Sequence, residues 1–170
     1  MMDFNDADFL AFAWWISNIV GLIFVFVALK STRLARLMFA ILFGYASLVN
    51  YNLSHHDPNV YLDYADHAIV PDADFIRGWF SGNITVFVTA IAAGQLVIAI
   101  GMLLNRAMVT LACIGVISFL AGIAPLGLYA AFPFSLTVSV AAFLVIRNDR
   151  KDYLWKGVDV TPSVSKKELA

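Results

Sequence analysis

All three histidines, His55, His56 and His67, fall within residues 54–81, together with Asp57, Asp63, Asp66, Asp72 and Asp74. Imidazole and carboxylate groups suit zinc, copper or non-haem iron, and His56, Asp63 and His67 form the best-spaced ligand set. A short helix over 60–69 would bring Asp63 and His67 together at i, i+4, place Tyr61, Tyr64, Ala65 and Ala68 on the other face, and stop at Pro71. A solvated acidic loop with helix caps accounts for the same residues, and the spacing matches no strong metal motif. Arg77, among Asp72, Asp74 and Trp79, reads either as a local ion pair or as an anchor for an anionic head group.

A second set of polar residues lies inside apolar runs. Asn50 and Gln95, with Tyr45 and Tyr51, carry hydrogen-bond donors that suit the carbonyl groups of a quinone or another lipophile. Asn18, Ser47, Asn52, Thr85 and Thr89 add mild polarity. Hydrogen bonding between helices explains these residues equally well and contributes about 0.6–2 kcal/mol per contact in lipid. The lone cysteine, Cys113, excludes an internal disulfide and a CxxC dithiol mechanism and reads as a small core residue. No Gly-rich phosphate loop, HExxH or GxSxG motif is present.

The elements that position these residues follow from composition. Of 170 residues, 61% are hydrophobic and 14% charged, with a mean hydropathy of +0.81; soluble domains run near half apolar and about a quarter charged. Such a chain is a polytopic membrane protein, and its net charge of −1 gives no basic face for nucleic acid. The acidic start lacks the basic region of a cleaved signal, so the first apolar run is expected to be retained. A span needs about 20 apolar residues. Runs at 9–29, 34–53 and 82–104 qualify. Residues 107–146 carry no charge but would make a helix of roughly 60 Å, so the run must turn at Pro125, Gly127 and Pro133, giving helices over 107–125 and 131–148.

The sequence therefore predicts an all-α bundle of five spans over 1–156, with an outer loop at 54–81 and a polar tail at 157–170. Lys30, Arg33, Arg36, Arg106, Arg147, Arg150, Lys151, Lys156, Lys166 and Lys167 then share one side. Arg77 and eight aspartates (Asp3, Asp6, Asp8, Asp57, Asp63, Asp66, Asp72 and Asp74) share the other. The positive-inside rule places the N-terminus outside and the C-terminus in the cytoplasm of a bacterial inner membrane. Four spans, with the first run lying flat, would scatter the basic residues. Trp14, Trp15, Trp79, Phe80, Tyr129 and Phe132 fall near outer helix ends, and Tyr153 and Trp155 near an inner one, as interface belts do. Ala90-x-x-x-Gly94 and Ser118-x-x-x-Gly122 are small-residue pairs that let helices approach. No ionisable residue lies near the centre of a span, which argues against a proton pump or voltage sensor.

Two strings, Arg36-Leu-Met-Phe-Ala-Ile-Leu-Phe-Gly44-Tyr-Ala and Gly94-Gln-Leu-Val-Ile-Ala-Ile-Gly101-Met-Leu-Leu-Asn-Arg106, give residues 33–148 a layout that resembles the DoxX-like group of four-helix membrane proteins. The resemblance implies a four-helix core with the first helix added outside it. Some members of that group resemble subunits of thiosulfate:quinone oxidoreductases. The resemblance implies no catalytic residue.

Two functions follow as expectations. The first is a non-catalytic accessory or structural subunit among other membrane protein subunits in an energy-converting membrane. The second is a DoxX-like quinone-linked oxidoreductase component that holds its lipophile between the second and third runs. A small transporter is disfavoured, because no span is broken at its midpoint. The balance leans away from an enzyme.

Overall fold

The computed structural model describes residues 6–66, 68–105, 107–126, 132–149 and 153–154; of 6–10 and Val70 it describes the backbone alone. The described residues are helical, with no strand. Six α-helices follow in order: α1 (Asp6–Lys30), α2 (Thr32–His56), α3 (Val70–Arg77), α4 (Ile84–Leu103), α5 (Ala107–Ile123) and α6 (Phe134–Asn148). Two 3₁₀ helices, Pro58–Asp66 and Phe80–Gly82, flank α3. Among the described residues four helical stretches are long and apolar enough to cross a membrane, three in α1, α2 and α4 and a fourth, Ala107–Leu126, that starts with α5 and runs past its end; α6 is a shorter apolar helix of 15 residues.

Each boundary has a local cause. Ser31 alone separates α1 from α2. Its amide still bonds to Val27 O at 2.7 Å, closing α1, while its hydroxyl accepts from Leu34 N at 3.3 Å and caps α2. With one residue between them the two helices diverge, and α1 lies chiefly along α6. The other helices pack in the cycle α2–α4–α5–α6. α2 and α4 are antiparallel: Ser54 meets Thr85 near one end, Ser47 meets Ala92 midway, and Arg36 meets Met102 at the other.

The packing is inverted relative to a soluble bundle. Large apolar side chains such as Phe12, Trp15, Leu22, Phe26, Ile41 and Val97 are exposed, whereas Ala35, Ala99, Ala112, Ala141 and Ala142 are buried. Small residues at helix contacts are what a lipid solvent selects, because burying a large apolar group gains nothing over leaving it in hydrocarbon.

The segment after α2 departs from expectation. In place of one helix over 60–69, the chain forms a 3₁₀ helix at Pro58–Asp66 and then α3. Pro71 does not stop a helix; it lies in the first turn of α3, where a missing N–H costs nothing. Three residues per turn eclipse i and i+3, so Tyr61 and Tyr64 stack, their ring centroids 6.2 Å apart. Ala65, Ala73, Ile76, Phe80, Ile84 and Val88 form a second apolar cluster. This cluster caps one end of the bundle, hereafter the cap end. Phe80 is thus buried in the cap and not part of a surface belt, whereas Trp15 and Trp79 are exposed. The expected belt residues Tyr129 and Trp155 lie outside the described residues, as does the 157–170 tail.

At the opposite end one charged side chain is buried. Arg36 is 1% exposed. Its guanidinium donates to Met102 O at 2.9 Å, to Leu104 O, and to Asp149 Oδ2 at 3.0 Å. It therefore ties the start of α2 to the last carbonyls of α4 and to the residue that ends α6. The fork of donors on arginine makes this possible; a lysine ammonium lacks the geometry.

Gly94 and Gly122, read as allowing close approach within the bundle or against a partner, do not make one within the bundle. A Cβ built on Gly94 or Gly122 meets nothing within 4 Å. The tight contacts are at Gly101, where a Cβ would stand 2.9 Å from Ala112 Cβ, and at Gly115, where it would stand 2.9 Å from Ile98 Cγ1.

Candidate functional site

A cavity of about 620 Å³ lies between the cap and the bundle. α4 contributes Phe87, Val88, Ile91 and Gln95; α5 contributes Ser118, Phe119 and Gly122; the cap contributes Tyr61, Tyr64, Asp72, Phe75 and Phe80; Asn50 reaches it from α2. Phe119 packs edge-on against Phe43 at 5.8 Å, which joins the cavity wall to the main core.

A directed chain of hydrogen bonds crosses its polar side. Tyr61 Oη donates to Asn50 Oδ1 at 2.9 Å, and Asn50 Nδ2 donates to Gln95 Oε1 at 2.8 Å. Gln95 is 2% exposed. With Oε1 accepting, its amide has two N–H donors left to offer the cavity it lines. Two further bonds hold α2 against α4 in this register: Ser47 Oγ donates to Ala92 O at 2.7 Å, and Thr85 Oγ1 to Ser54 O at 2.9 Å. Burial, with Tyr64 beside it as the smaller cause, pushes the Tyr61 hydroxyl up to about 12 from 10.0. Tyr61 is therefore neutral, and a donor, throughout the physiological range.

That shift has a testable sign. A tyrosine whose proton is held more tightly in the fold contributes stability that is complete below pH 10 and is lost as pH rises through about 12. In a spectrophotometric phenolate titration of the folded protein, one tyrosine should ionise late, and Tyr61→Phe should remove that late step. A Tyr61→Phe titration that superimposes on the parent would reject the assignment.

The opposite wall is aromatic. Phe75, Trp79, Phe80 and Phe87 form a cluster with ring centroids 5.6–6.0 Å apart. Phe75, Trp79 and Phe87 are also exposed, so the cavity wall runs continuously onto the apolar outer surface. Asp72 is the carboxylate at the lining, which makes the site unfavourable for an anionic ligand.

Of the four residues expected to hold a lipophile, the structure brings together Asn50 and Gln95. Tyr45 is 68% exposed and Tyr51 half exposed; the Tyr51 ring packs at a tilt against His55, centroids 4.4 Å apart, and neither tyrosine lines the cavity. The cavity is also not confined to the α2–α4 seam. It is bounded by α4, α5 and the cap, with Asn50 of α2 and Phe134 of α6 at its edge.

Of the three expected metal ligands, His67 lies outside the described residues. The His56 ring is exposed, its Nδ1 2.9 Å from Asn52 O, and Asp63 is exposed. Among the described residues no group of three His, Cys, Asp or Glu side chains converges. Arg77 pairs with Asp66 at 2.8 Å, not with Asp72 or Asp74, and both groups are well exposed; such a pair contributes little. Cys113 is fully buried, its Sγ 4.0 Å from Met102 Sδ. Asn18 bonds back to Trp14 O and Asn52 to Leu48 O, each within its own helix. Thr89 Oγ1 is buried with no hydrogen-bond partner among the described residues.

Sequence reasoning missed Tyr61 as a polar member of the site, and it missed the aromatic wall. The tyrosine spacing of three was the available signal. No protein-family model, curated protein sequence or solved structure matches the chain.

Proposed function

We propose that the chain is an integral membrane protein that binds a neutral, oxygen-bearing lipophile in the cap-end cavity, with its own residues binding and orienting the ligand. The observation that carries this reading is the directed chain Tyr61–Asn50–Gln95, which ends in an amide with donors left to offer at a largely apolar cavity. A carbonyl or ether oxygen satisfies those donors, and the aromatic wall accommodates a ring or chain. A quinone, the cofactor class implied by the DoxX-like resemblance, is one such molecule. The aromatic route from the surface admits the ligand from lipid.

Five spans, with the N-terminus outside, fit the way helix ends are paired. Trp14 Nε1 donates to Phe132 O, and Ile69 N to Pro125 O at 3.2 Å, so the ends of α1, α5 and α6 away from Arg36 lie with the cap. Arg36, Met102, Leu104 and Asp149 bring together the other ends of α2, α4 and α6. The chain thus alternates ends five times. Lys30, Arg33, Arg36 and Arg147 lie at or near the second end, and the loop aspartates at the first, which supports a cytoplasmic second end. The exposed apolar strip of α1, which includes Phe12, Trp15, Ile19, Leu22, Phe26 and Leu29, leaves a face for lipid or for a neighbouring subunit. This suits a binding subunit of a larger assembly in a bacterial inner membrane.

The test is native mass spectrometry, with solvent extraction of bound lipophile, on protein taken from its membrane in mild detergent. The parent should retain a neutral lipophile. Asn50→Leu/Gln95→Leu should lower its retention at least about tenfold, equivalent to about 1.4 kcal/mol, while the protein still melts cooperatively. Gly122→Phe, which projects a ring into open space beside the cavity, should block binding without touching the polar chain. Unchanged retention in both variants would reject the site.

A further inference from the structure

The packing of α4 against α5 changes along the pair. Toward the Arg36 end it is tight: a Cβ on Gly101 would stand 2.9 Å from Ala112 Cβ, and one on Gly115 would stand 2.9 Å from Ile98 Cγ1. These two contacts set an antiparallel register. Carried three residues on, that register puts Gln95 level with Ser118; carried four further, it puts Ile91 level with Gly122. Here the helices part. Gly94 and Gly122 are exposed, and a Cβ on either meets nothing within 4 Å. Ile91, Gln95, Ser118 and Gly122 all line the cap-end cavity, and each is among the described residues. Part of that cavity is therefore the gap left where α4 and α5 separate, and Gln95 stands at its narrow end.

Two properties of the gap bear on what fills it. The first is depth. Gln95 lies about 16 Å along α4 from Ile84, at about 1.5 Å per residue, roughly half the hydrocarbon thickness. A lipid whose polar group stays at the headgroup level does not reach a donor there; a lipophile that carries its oxygen into the hydrocarbon does. The second is the way out. Ser118 and Gly122 are exposed while lining the cavity, and both helices present apolar side chains outward, such as Val97 on α4 and Ile114 on α5. Glycine is unfavourable in a helix interior, and no close contact within the bundle requires it at 94 or 122. Passage of a chain between the helices gives both positions a role.

We propose that the ligand of the cap-end cavity is a long-chain lipophile, with its oxygen on the Gln95 amide and its chain passing out between α4 and α5 into the bilayer. This rests on the reading of the cavity as a lipophile site and adds the class of molecule: a polar head joined to a long apolar chain, in contrast to a compact molecule enclosed whole. Gly94, Ser118 and Gly122 then determine chain acceptance, and Gln95 determines head acceptance.

The probes are a para-benzoquinone with only methyl substituents and the same ring carrying a decyl chain, each titrated into the full chain in detergent and counted by native mass spectrometry. The ratio of the two affinities, compared between parent and variant, cancels their different partition into detergent. The parent should bind both. Gly94→Leu should weaken the decyl probe about tenfold, as expected for pressing a side chain into space that a ligand chain occupies, and change the methyl probe by less than about twofold. Gly94→Met, whose side chain reaches across the same gap, serves if the leucine variant does not fold. Asn50→Leu/Gln95→Leu should weaken both probes alike. Leu22→Phe, at an exposed position on α1, should leave the ratio unchanged. A parental ratio in both Gly94 variants, an equal shift in Leu22→Phe, or a parent that takes the methyl probe and refuses the decyl one would overturn the proposal while leaving the lipophile site standing. A parent that binds neither probe would reject the site itself, and the proposal with it.

Discussion

Arg36→Ala should destabilise the protein by about 3–5 kcal/mol, the usual cost of removing one partner of a buried ion pair, with a fall in Tm on the order of 10 °C. The reason is what the substitution leaves behind. The Asp149 carboxylate loses a donor at 3.0 Å while only 3% exposed, and the carbonyls of Met102 and Leu104 lose theirs. Three helix ends lose a common contact, so the loss should appear in thermal unfolding as reduced cooperativity as well as a lower midpoint. Arg36→Lys should recover only part of the stability, because one ammonium cannot reproduce a planar fork aimed at three acceptors. Arg36→Met/Asp149→Leu should recover more than either single change, since an apolar pair of similar volume removes the charge together with the need for it. An Arg36→Ala protein that melts with the parent would show that the buried pair contributes nothing.

The second large effect is steric. Gly101 and Gly94 lie on the same helix, seven residues apart, and the same change to alanine should act in opposite directions. At Gly101 the new methyl would stand 2.9 Å from Ala112 Cβ and 3.3 Å from Met108 O. Neither neighbour is the end of a flexible side chain, so α4 and α5 must separate. Overpacking of this kind costs about 1–3 kcal/mol, and Gly101→Leu should reach or pass the upper limit. At Gly94 the methyl meets nothing within 4 Å, and the helix gains up to about 1 kcal/mol in propensity. Gly115 is intermediate, because the atoms it would press on belong to the Ile98 side chain, which can rotate. Thermal midpoints of the two alanine variants measured side by side decide the matter: shifts of equal sign would contradict the packing.

The apolar helices were legible because 20-residue uncharged runs have few alternatives, and their ends follow Ser31, the Asp57-Pro58 step and Asn83. The cap was not. Residues 58–82 contain no long uncharged apolar run, and what orders them is burial of Ala65, Ala73, Ile76 and Phe80 with Ile84 and Val88. Asn50 and Gln95 stood out as amides in apolar surroundings, and their pairing follows from the antiparallel register of α2 and α4. Tyr45 and Tyr51 failed on helical phase. The buried stripe of α2 includes Arg36, Phe39, Phe43, Ser47 and Ser54, spaced by threes and fours or their sum, and Asn50 falls on it. Tyr51, four positions after Ser47, sits at the edge of the stripe and is half exposed, and Tyr45 lies on the opposite face. The same spacing shows that Arg36 belongs to the inward face. Its charge suggested a periphery that its phase denies.

The Arg36–Asp149 pair also constrains the order in which the molecule can be assembled. The two residues are separated by 113 positions, and the acceptors at Met102 and Leu104 lie between them. During synthesis α2 precedes all three of these partners, so its guanidinium must first be held by water. The first two acceptors arrive when α4 inserts, and the carboxylate only when α6 has come to rest. Correct docking of the last helix is thereby coupled to neutralisation of a charge in the second. An intermediate that stops short retains an unsatisfied cation among its helices, a feature by which quality control could distinguish it from the finished protein.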